Sequence, residues 1–181
     1  MKQVTLIDEN DQVLGYEDLY KAHEKPGLLH RASSVFLFRQ NDGQLEVLLQ
    51  KRSPVKIVGA NQWANTICGN VKPGETYEEC AYRRLQEELG LTMQSSLEEL
   101  TVFRYQVDCN EKYAENERDV IWGGWWSGEV IACNSEEVSE TEWVSWKKRN
   151  EWHEKSPWFS LMLADSSLMT VLNEYIQRKV S

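Results

Sequence analysis

The sequence predicts an α+β fold, a mixed sheet with helices packed on it as an α/β/α sandwich. Three observations lead there. Strand-like runs punctuated by turn residues occupy the first part of the chain and return between Phe103 and Trp146. One helix is signalled strongly between Gly69 and Leu91. An apolar repeat at helical spacing closes the chain. Sheets and helices each bury one side, so such a mixture resolves into stacked layers.

The elements follow in order. Val4–Ile7 and Gln12–Tyr16 flank an Asp/Asn-rich turn and read as a hairpin. Ser33–Phe38 and Leu45–Lys51 are strands joined by Asn41-Asp42-Gly43, a hairpin turn. Between the hairpins, His23 and His30 lie in an expected loop, KAHEKPGLLH. Trp63–Cys68 is short and β-like. Pro73-Gly74 then turns the chain, and Thr76 with Glu79 forms a capping box that starts a helix. Gly90 stands where a left-handed glycine would end it. Phe103–Cys109, Val120–Trp126 and Glu142–Trp146 are further strands, followed by a short helix over Lys147–His153. Ser156-Pro157 fits a cap followed by a first-turn proline. The last helix is expected to carry Leu161, Leu168, Val171, Leu172, Tyr175 and Ile176.

At 181 residues, with no repeat, low-complexity tract or linker, the chain is expected to be a single domain spanning 1–181. A net charge of −9 argues against nucleic acid as the main partner, though a local basic cluster suffices for a small phosphorylated ligand. The apolar run in MKQVTLIDEN is too short for a signal peptide, and no stretch approaches a membrane span. The four cysteines include no C-x-x-C pair. A cytoplasmic, monomeric protein with reduced thiols is the expectation, with neither nucleic acid nor membrane as partner.

On the Gly69–Leu91 helix, Tyr77, Ala81, Leu85 and Leu89 form an apolar stripe. Glu88 falls inside it, Arg84 stands one turn back, and Glu87 sits at its edge. A carboxylate on a core-facing stripe needs a cation. Either Arg84 and Glu88 pair at i,i+4 with Glu87 and Glu79 solvated, or Glu88, with Glu87, holds a divalent ion near phosphate-gripping bases. Elsewhere, Glu115 and Glu117 flank Asn116 in a polar segment ahead of the strand at Val120. If extended, they face the same way and suit one cation; as a solvated acidic loop they do nothing. Cys68 reads either as a small buried apolar residue or as a functional thiol. Tyr105 faces either side of its strand, and Trp158 suits a core anchor. Arg52 and Lys56 serve as surface charge or as ligand contacts.

The helix segment reads G-x5-E-x7-R-R-L-x-E-E-x-G-L, which resembles the Nudix box except that Arg84 stands where the box has a metal-binding glutamate. The resemblance implies a Nudix-type α/β/α sandwich. Further pieces resemble type I isopentenyl-diphosphate Δ-isomerase, a branch of that superfamily: His23-x6-His30, Asn65-Thr-Ile-Cys68-Gly69, Phe103-Arg-Tyr105, Glu115-Asn-Glu117 and Ser156-Pro-Trp158. That likeness implies conversion of isopentenyl diphosphate to dimethylallyl diphosphate through a carbocation-like intermediate. It assigns proton transfer to Cys68 and Glu117 with Tyr105 assisting, and cation stabilisation to the face of Trp158. It gives a divalent metal (Mn²⁺, Zn²⁺ or Mg²⁺) to His23, His30, Glu115 and Glu117. The third histidine of the family's metal site is replaced by Asn70, whose carbonyl oxygen favours Mg²⁺ or Mn²⁺ over Zn²⁺. Glu88 is expected to hold a Mg²⁺ bridging to the diphosphate, with Arg52, Lys56 and Arg84 on its oxygens. A cation at position 84 suits an isomerase that must keep its diphosphate intact. The competing expectations are a Nudix hydrolase of a nucleoside diphosphate derivative or other pyrophosphate, which the Glu87–Glu88 pair favours, and a catalytically idle binding module.

Overall fold

A computed structural model describes residues 2–128, 133–152 and 157–180, with side chains of the last stretch from residue 160. Nine strands form one sheet: β1 Gln3–Ile7, β2 Val13–Asp18, β3 His30–Asn41, β4 Gln44–Arg52, β5 Trp63–Ala64, β6 Ile67–Asn70, β7 Glu98–Asp108, β8 Ala114–Trp125 and β9 Val138–Ser145. The helices are α1 Leu19–His23, α2 Tyr77–Leu89, α3 Pro157–Ala164 and α4 Ser166–Val180, with a 3₁₀ turn at Trp146–Trp152. No helix among the described residues is long and apolar enough to cross a membrane.

Strand β3 organises the sheet. One edge runs parallel to β8, from His30 opposite Glu117 to Phe38 opposite Trp125. Its other edge is shared by β1, β6 and β4 in turn, all antiparallel. A strand inside a sheet covered on both sides is apolar on both sides. Val35 and Leu37 accordingly face Ala81, Leu85 and Leu89 of α2, while Phe36 and Phe38 face Leu168, Leu172, Tyr175 and Ile176 of α4. Two cores separated by one sheet make the expected sandwich.

The strongly signalled helix forms as read. Thr76 caps α2, its hydroxyl accepting from the Glu79 amide while the Glu79 carboxylate accepts from the Thr76 amide. Gly90 ends it at φ 65°, a conformation that glycine adopts without a Cβ clash.

Several boundaries need correction. His23 and His30 do not share a loop: His23 closes α1, capped by Asp18, and His30 opens β3. A helix of one turn leaves no periodicity to read. Glu115 and Glu117 lie within β8, because antiparallel pairing with β7 carries the strand back to Ala114 and β3 pairs with it from Glu117 onward. Trp63–Cys68 divides into β5 and β6, which pair with different strands, β4 and β3. Leu161 belongs to α3, since Asp165 interrupts the helix and accepts from the Leu168 amide. The turn after β9 is 3₁₀ and begins at Trp146; His153 and Ser156 lie outside the described residues.

Candidate active site

The site follows from register. Side chains of paired residues in neighbouring strands share a face. On β3, His30, Ala32 and Ser34 therefore point the same way as Phe36. His30 stands opposite Glu117, and Glu117 opposite Tyr105 on β7; Ser34 stands opposite Cys68 on β6. This face is apolar toward α4, where Phe36, Phe103 and Ile121 enter the core, and polar toward its other end. Its polar end opens into a cavity of about 380 Å³, lined by His23, Cys68, Tyr105, Glu115 and Glu117 among others.

The Tyr105 hydroxyl donates to Glu117 Oε2 at 2.6 Å and lies 2.9 Å from Glu115 Oε2. The Cys68 sulfur is 3.8 Å from that same Glu117 oxygen. Glu117 Oε1 faces His30 Nε2 at 3.3 Å. Burial opposes ionisation of Glu117, but the His30 hydrogen bond and charge outweigh it and lower its pKa. Reciprocally, burial lowers the His30 pKa and Glu117 more than restores it, for a net rise. Burial, then the Glu117 charge, pushes Glu115 up to about 7. The Cys68 thiol is driven well up, by burial first and then by Glu117 and Asp119. Thus one carboxylate is kept ionised, and beside it a second carboxyl and a thiol are pushed toward their protonated forms.

The two imidazoles are built to receive a metal. Nδ1 of His23 lies 2.7 Å from the Leu19 carbonyl, and Nδ1 of His30 lies 2.7 Å from the Leu28 carbonyl. Each bond places a proton on Nδ1 and turns Nε2 toward the site, where it can bind an ion once it carries no proton of its own. Donor atoms of His23, His30 and Glu117 all fall within 4.8 Å of one another, a span compatible with metal–ligand bonds of about 2.0–2.2 Å. The Asn70 amide oxygen, at the cavity wall, is buried with no hydrogen-bond partner among the described residues. These residues fit a divalent ion.

Cations line the same cavity, Arg84 against Gly69 next to Cys68, and Arg52 within electrostatic reach of Glu115 and His23. Arg52, Lys56 and Arg84 all line it. The Arg84 stem crosses Gly69 so closely that a Cβ there would lie 2.4 Å from Arg84 Cγ, which accounts for the glycine. The Arg84 guanidinium pairs with Glu88 at 2.6 Å, Glu137 at 2.9 Å and Glu87 at 3.0 Å. Lys56 donates to the same Glu137 oxygen at 2.5 Å.

A NUDIX domain matches residues 28–161. The isopentenyl-diphosphate Delta-isomerase of Photobacterium profundum is 35% identical over 144 residues, covering 80% of this chain and 79% of that protein. The Streptomyces griseus enzyme of the same name is 38% identical, with 87% of this chain and 80% of that one covered. That of Serratia proteamaculans is 31% identical, with 91% and 90% covered. A Deinococcus radiodurans protein of known structure superposes with a TM-score of 0.67 at 21% identity, over 86% of this chain and 91% of that one. C. elegans Ap4A hydrolase does so at 0.58 and 15%, over 81% and 97%. At those identities the structures share the fold alone.

The chain belongs to the isopentenyl-diphosphate Delta-isomerase family of Nudix proteins.

Against the expectations for this family, His23, Cys68, Asn70, Tyr105, Glu115 and Glu117 meet in one cavity, with His30 behind Glu117 and Arg52, Lys56 and Arg84 also lining it. Trp158 falls on α3, and its side chain lies outside the described residues. Glu88 fits its expected Mg²⁺ least well. Its oxygens are engaged by Arg84 and by Gln50 at 2.8 Å, and Glu87 rather than Glu88 lines the cavity. The i,i+4 pair read from the stripe is thus present. Two residues escaped the sequence reading. Asp119 is fully buried beside Cys68 and Glu117. Its signal was the alternation Glu115, Glu117, Asp119, legible once the strand is extended through them. Glu137 bridges the cations; nothing local marks it.

Proposed function

We propose that this chain isomerises isopentenyl diphosphate to dimethylallyl diphosphate. One observation carries the reading: a thiol and an ionised carboxylate 3.8 Å apart line the same cavity as three cationic side chains. The reaction adds a proton at one alkene carbon and removes one from another, through a carbocation-like state. Cys68 and Glu117 are the proton-transfer groups, and Tyr105, donating to Glu117, steadies that carboxylate and its proton. The two now stand 3.8 Å apart. A carbon skeleton between them needs about 3.5–4 Å on each side, so substrate entry must part them. Burial of these groups excludes water that would trap the cation. Trp158 is assigned to the cation's exposed face.

Arg52, Lys56 and Arg84 grip the diphosphate. His23, His30, Glu115, Glu117 and Asn70 would hold a divalent ion, with the oxygen-rich set favouring Mn²⁺ or Mg²⁺. Such an ion supplies positive charge that fixes Glu117 and tunes its acidity. Glu88 is assigned the Mg²⁺ that accompanies the diphosphate; no step here depends on it. The hydrolase reading loses ground at Arg84, which replaces a box carboxylate and ties up its neighbours. The same reading takes residues 1–181 as one domain and a cytoplasmic monomer, with a small diphosphate rather than nucleic acid as partner. Light scattering tests the oligomeric state.

The deciding experiment incubates the protein with isopentenyl diphosphate and Mg²⁺ in D₂O. Deuterated dimethylallyl diphosphate is expected. Release of phosphate with no isomerised product would replace the isomerase by a hydrolase.

A further inference from the structure

The loss of one imidazole at Asn70 leaves a question of coordination, and the register around Ala32 answers it. Ala32 on β3 pairs with Asn70 on one side and with Asp119 on the other. The row Asn70–Ala32–Asp119 therefore crosses three strands on the site's face. It lies between the His30–Glu117 row and the Ser34–Cys68 row. Its centre is a methyl group, so the flanking side chains meet little bulk between them.

Both flanking residues carry an oxygen that lacks a partner. Asn70 Oδ1 and Asp119 Oδ1 are buried and accept no hydrogen bond among the described residues. Asp119 has no exposed surface. Buried acceptors without donors are expensive, and two in one row point to something positive or protic between the strands. The other Asp119 oxygen is anchored, accepting from the Ser34 hydroxyl at 2.6 Å. A carboxylate held through one oxygen and free at the other is arranged as metal-binding carboxylates are, with a neighbour fixing its orientation. Donor atoms of Asp119, Glu117 and Cys68 lie within 4.8 Å of one another, in a group separate from the one that Glu117 forms with His23 and His30, so an ion held by the imidazoles would draw the Asp119 carboxylate toward it through Glu117.

We propose that Asp119 is a ligand of this chain's metal centre, an oxygen donor that, with the Asn70 amide oxygen, makes up for the missing imidazole. This rests on the isomerase reading only for the location of the ion. It predicts a centre with two nitrogen donors and otherwise oxygen, suited to Mn²⁺ over Zn²⁺.

The test titrates the metal-stripped full-length protein with Mn²⁺ alone and follows free Mn²⁺ by electron paramagnetic resonance. Asp119→Asn should weaken binding at least ten-fold, and Ser34→Ala by a smaller factor. Asn70→His added to Asp119→Asn should recover affinity and shift preference toward Zn²⁺. Unchanged Mn²⁺ affinity in Asp119→Asn would overturn the assignment. If that variant does not fold, anomalous scattering from Mn²⁺ in wild-type crystals decides. Density about 2.0–2.3 Å from Asp119 Oδ1 supports it. A water bridging Asp119 and Asn70, with the ion bonded elsewhere, defeats it. No substrate is present in either measurement, so failure here and failure to isomerise are read separately.

Discussion

The two ends of the cavity are charged in opposite ways and satisfied to opposite degrees. At the sheet end, Glu115 and Glu117 face two imidazoles, Asp119 is buried beside Glu117, and among the described residues acceptor oxygens of Asn70 and Asp119 are left over. At the α2 end, Arg84 and Lys56 are already met by Glu87, Glu88 and Glu137. The first end is short of positive charge and is arranged to acquire a cation. The second is neutralised from within, so an incoming diphosphate must compete with carboxylates of the chain itself. Chemistry and anchoring therefore fail differently when disturbed. Lesions at the sheet end should lower turnover, and lesions at the α2 end should move stability and substrate affinity.

The largest effect tests the first half of that contrast. Cys68→Ala should reduce turnover by ~10²–10⁴-fold, the usual worth of a positioned proton-transfer group. Cys68 lines the cavity rather than the apolar core, so thermal melting should hardly change. Deuterium incorporation into product measures the loss. A variant as active as wild type would remove the thiol from the mechanism.

Next comes the ion pair on α2. Glu88 is 2% exposed, and Arg84→Ala strips it of its cationic partner. An uncompensated buried charge costs about 3–5 kcal/mol, so urea unfolding should show a loss of that size. Adding Glu88→Gln removes the stranded charge and should restore a large part of it. A mild single variant would mean that Glu88 escapes to water, and the α2 end would no longer count as self-neutralised.

How much of this was legible beforehand differs between the same two ends. The α2 end is written locally. Thr76, Glu79, Arg84, Glu88 and Gly90 lie within a few turns; the capping box and the terminating glycine formed as read, and the Arg84–Glu88 pair, one of two readings of that stripe, is present. Glu137 is the exception, because its contact with Arg84 spans 53 residues and no short-range pattern announces it. The sheet end is assembled almost wholly by distant pairing. His30 meets Glu117 across 87 positions and Cys68 meets it across 49. Periodicity cannot supply such contacts, and family resemblance did. Asp119 is marked by neither periodicity nor resemblance. It lies outside the motif that carried the resemblance, and the strand containing it was started too late.

Glu137 sharpens the contrast from the other side. It bridges Lys56 and Arg84 where the diphosphate is proposed to sit. Glu137→Gln should lower KM by about 3–10-fold, the equivalent of ~1 kcal/mol, with kcat little changed. Acid sensitivity should change too. Burial alone would raise the Glu137 pKa, but Arg84 and Lys56 hold it down to about 2. A group depressed on folding contributes stability above its unfolded value, near 4.5, and loses it as the pH falls toward 2. Unfolding profiles at pH 5 and pH 3 should therefore diverge less for the glutamine variant than for wild type. A raised KM would instead make Glu137 a brace for the cations rather than a competitor of the substrate.

The smallest effect separates the scaffold of α2 from its charged face. Thr76→Ala removes the hydroxyl that accepts from the Glu79 amide and leaves an unpaired donor at the helix start. Loss of such a cap costs about 1 kcal/mol. Thr76 is exposed and lies two turns before Arg84, with Ala81 between them and Leu85 just beyond holding the helix to the sheet. Fraying the first turn should leave the guanidinium where it is, so KM and kcat should stay at wild-type values while the unfolding midpoint falls slightly. If KM rose along with that modest destabilisation, the position of Arg84 would depend on the helix start rather than on its carboxylates, and the ion-pair network would lose its claim to hold the anchoring end in place.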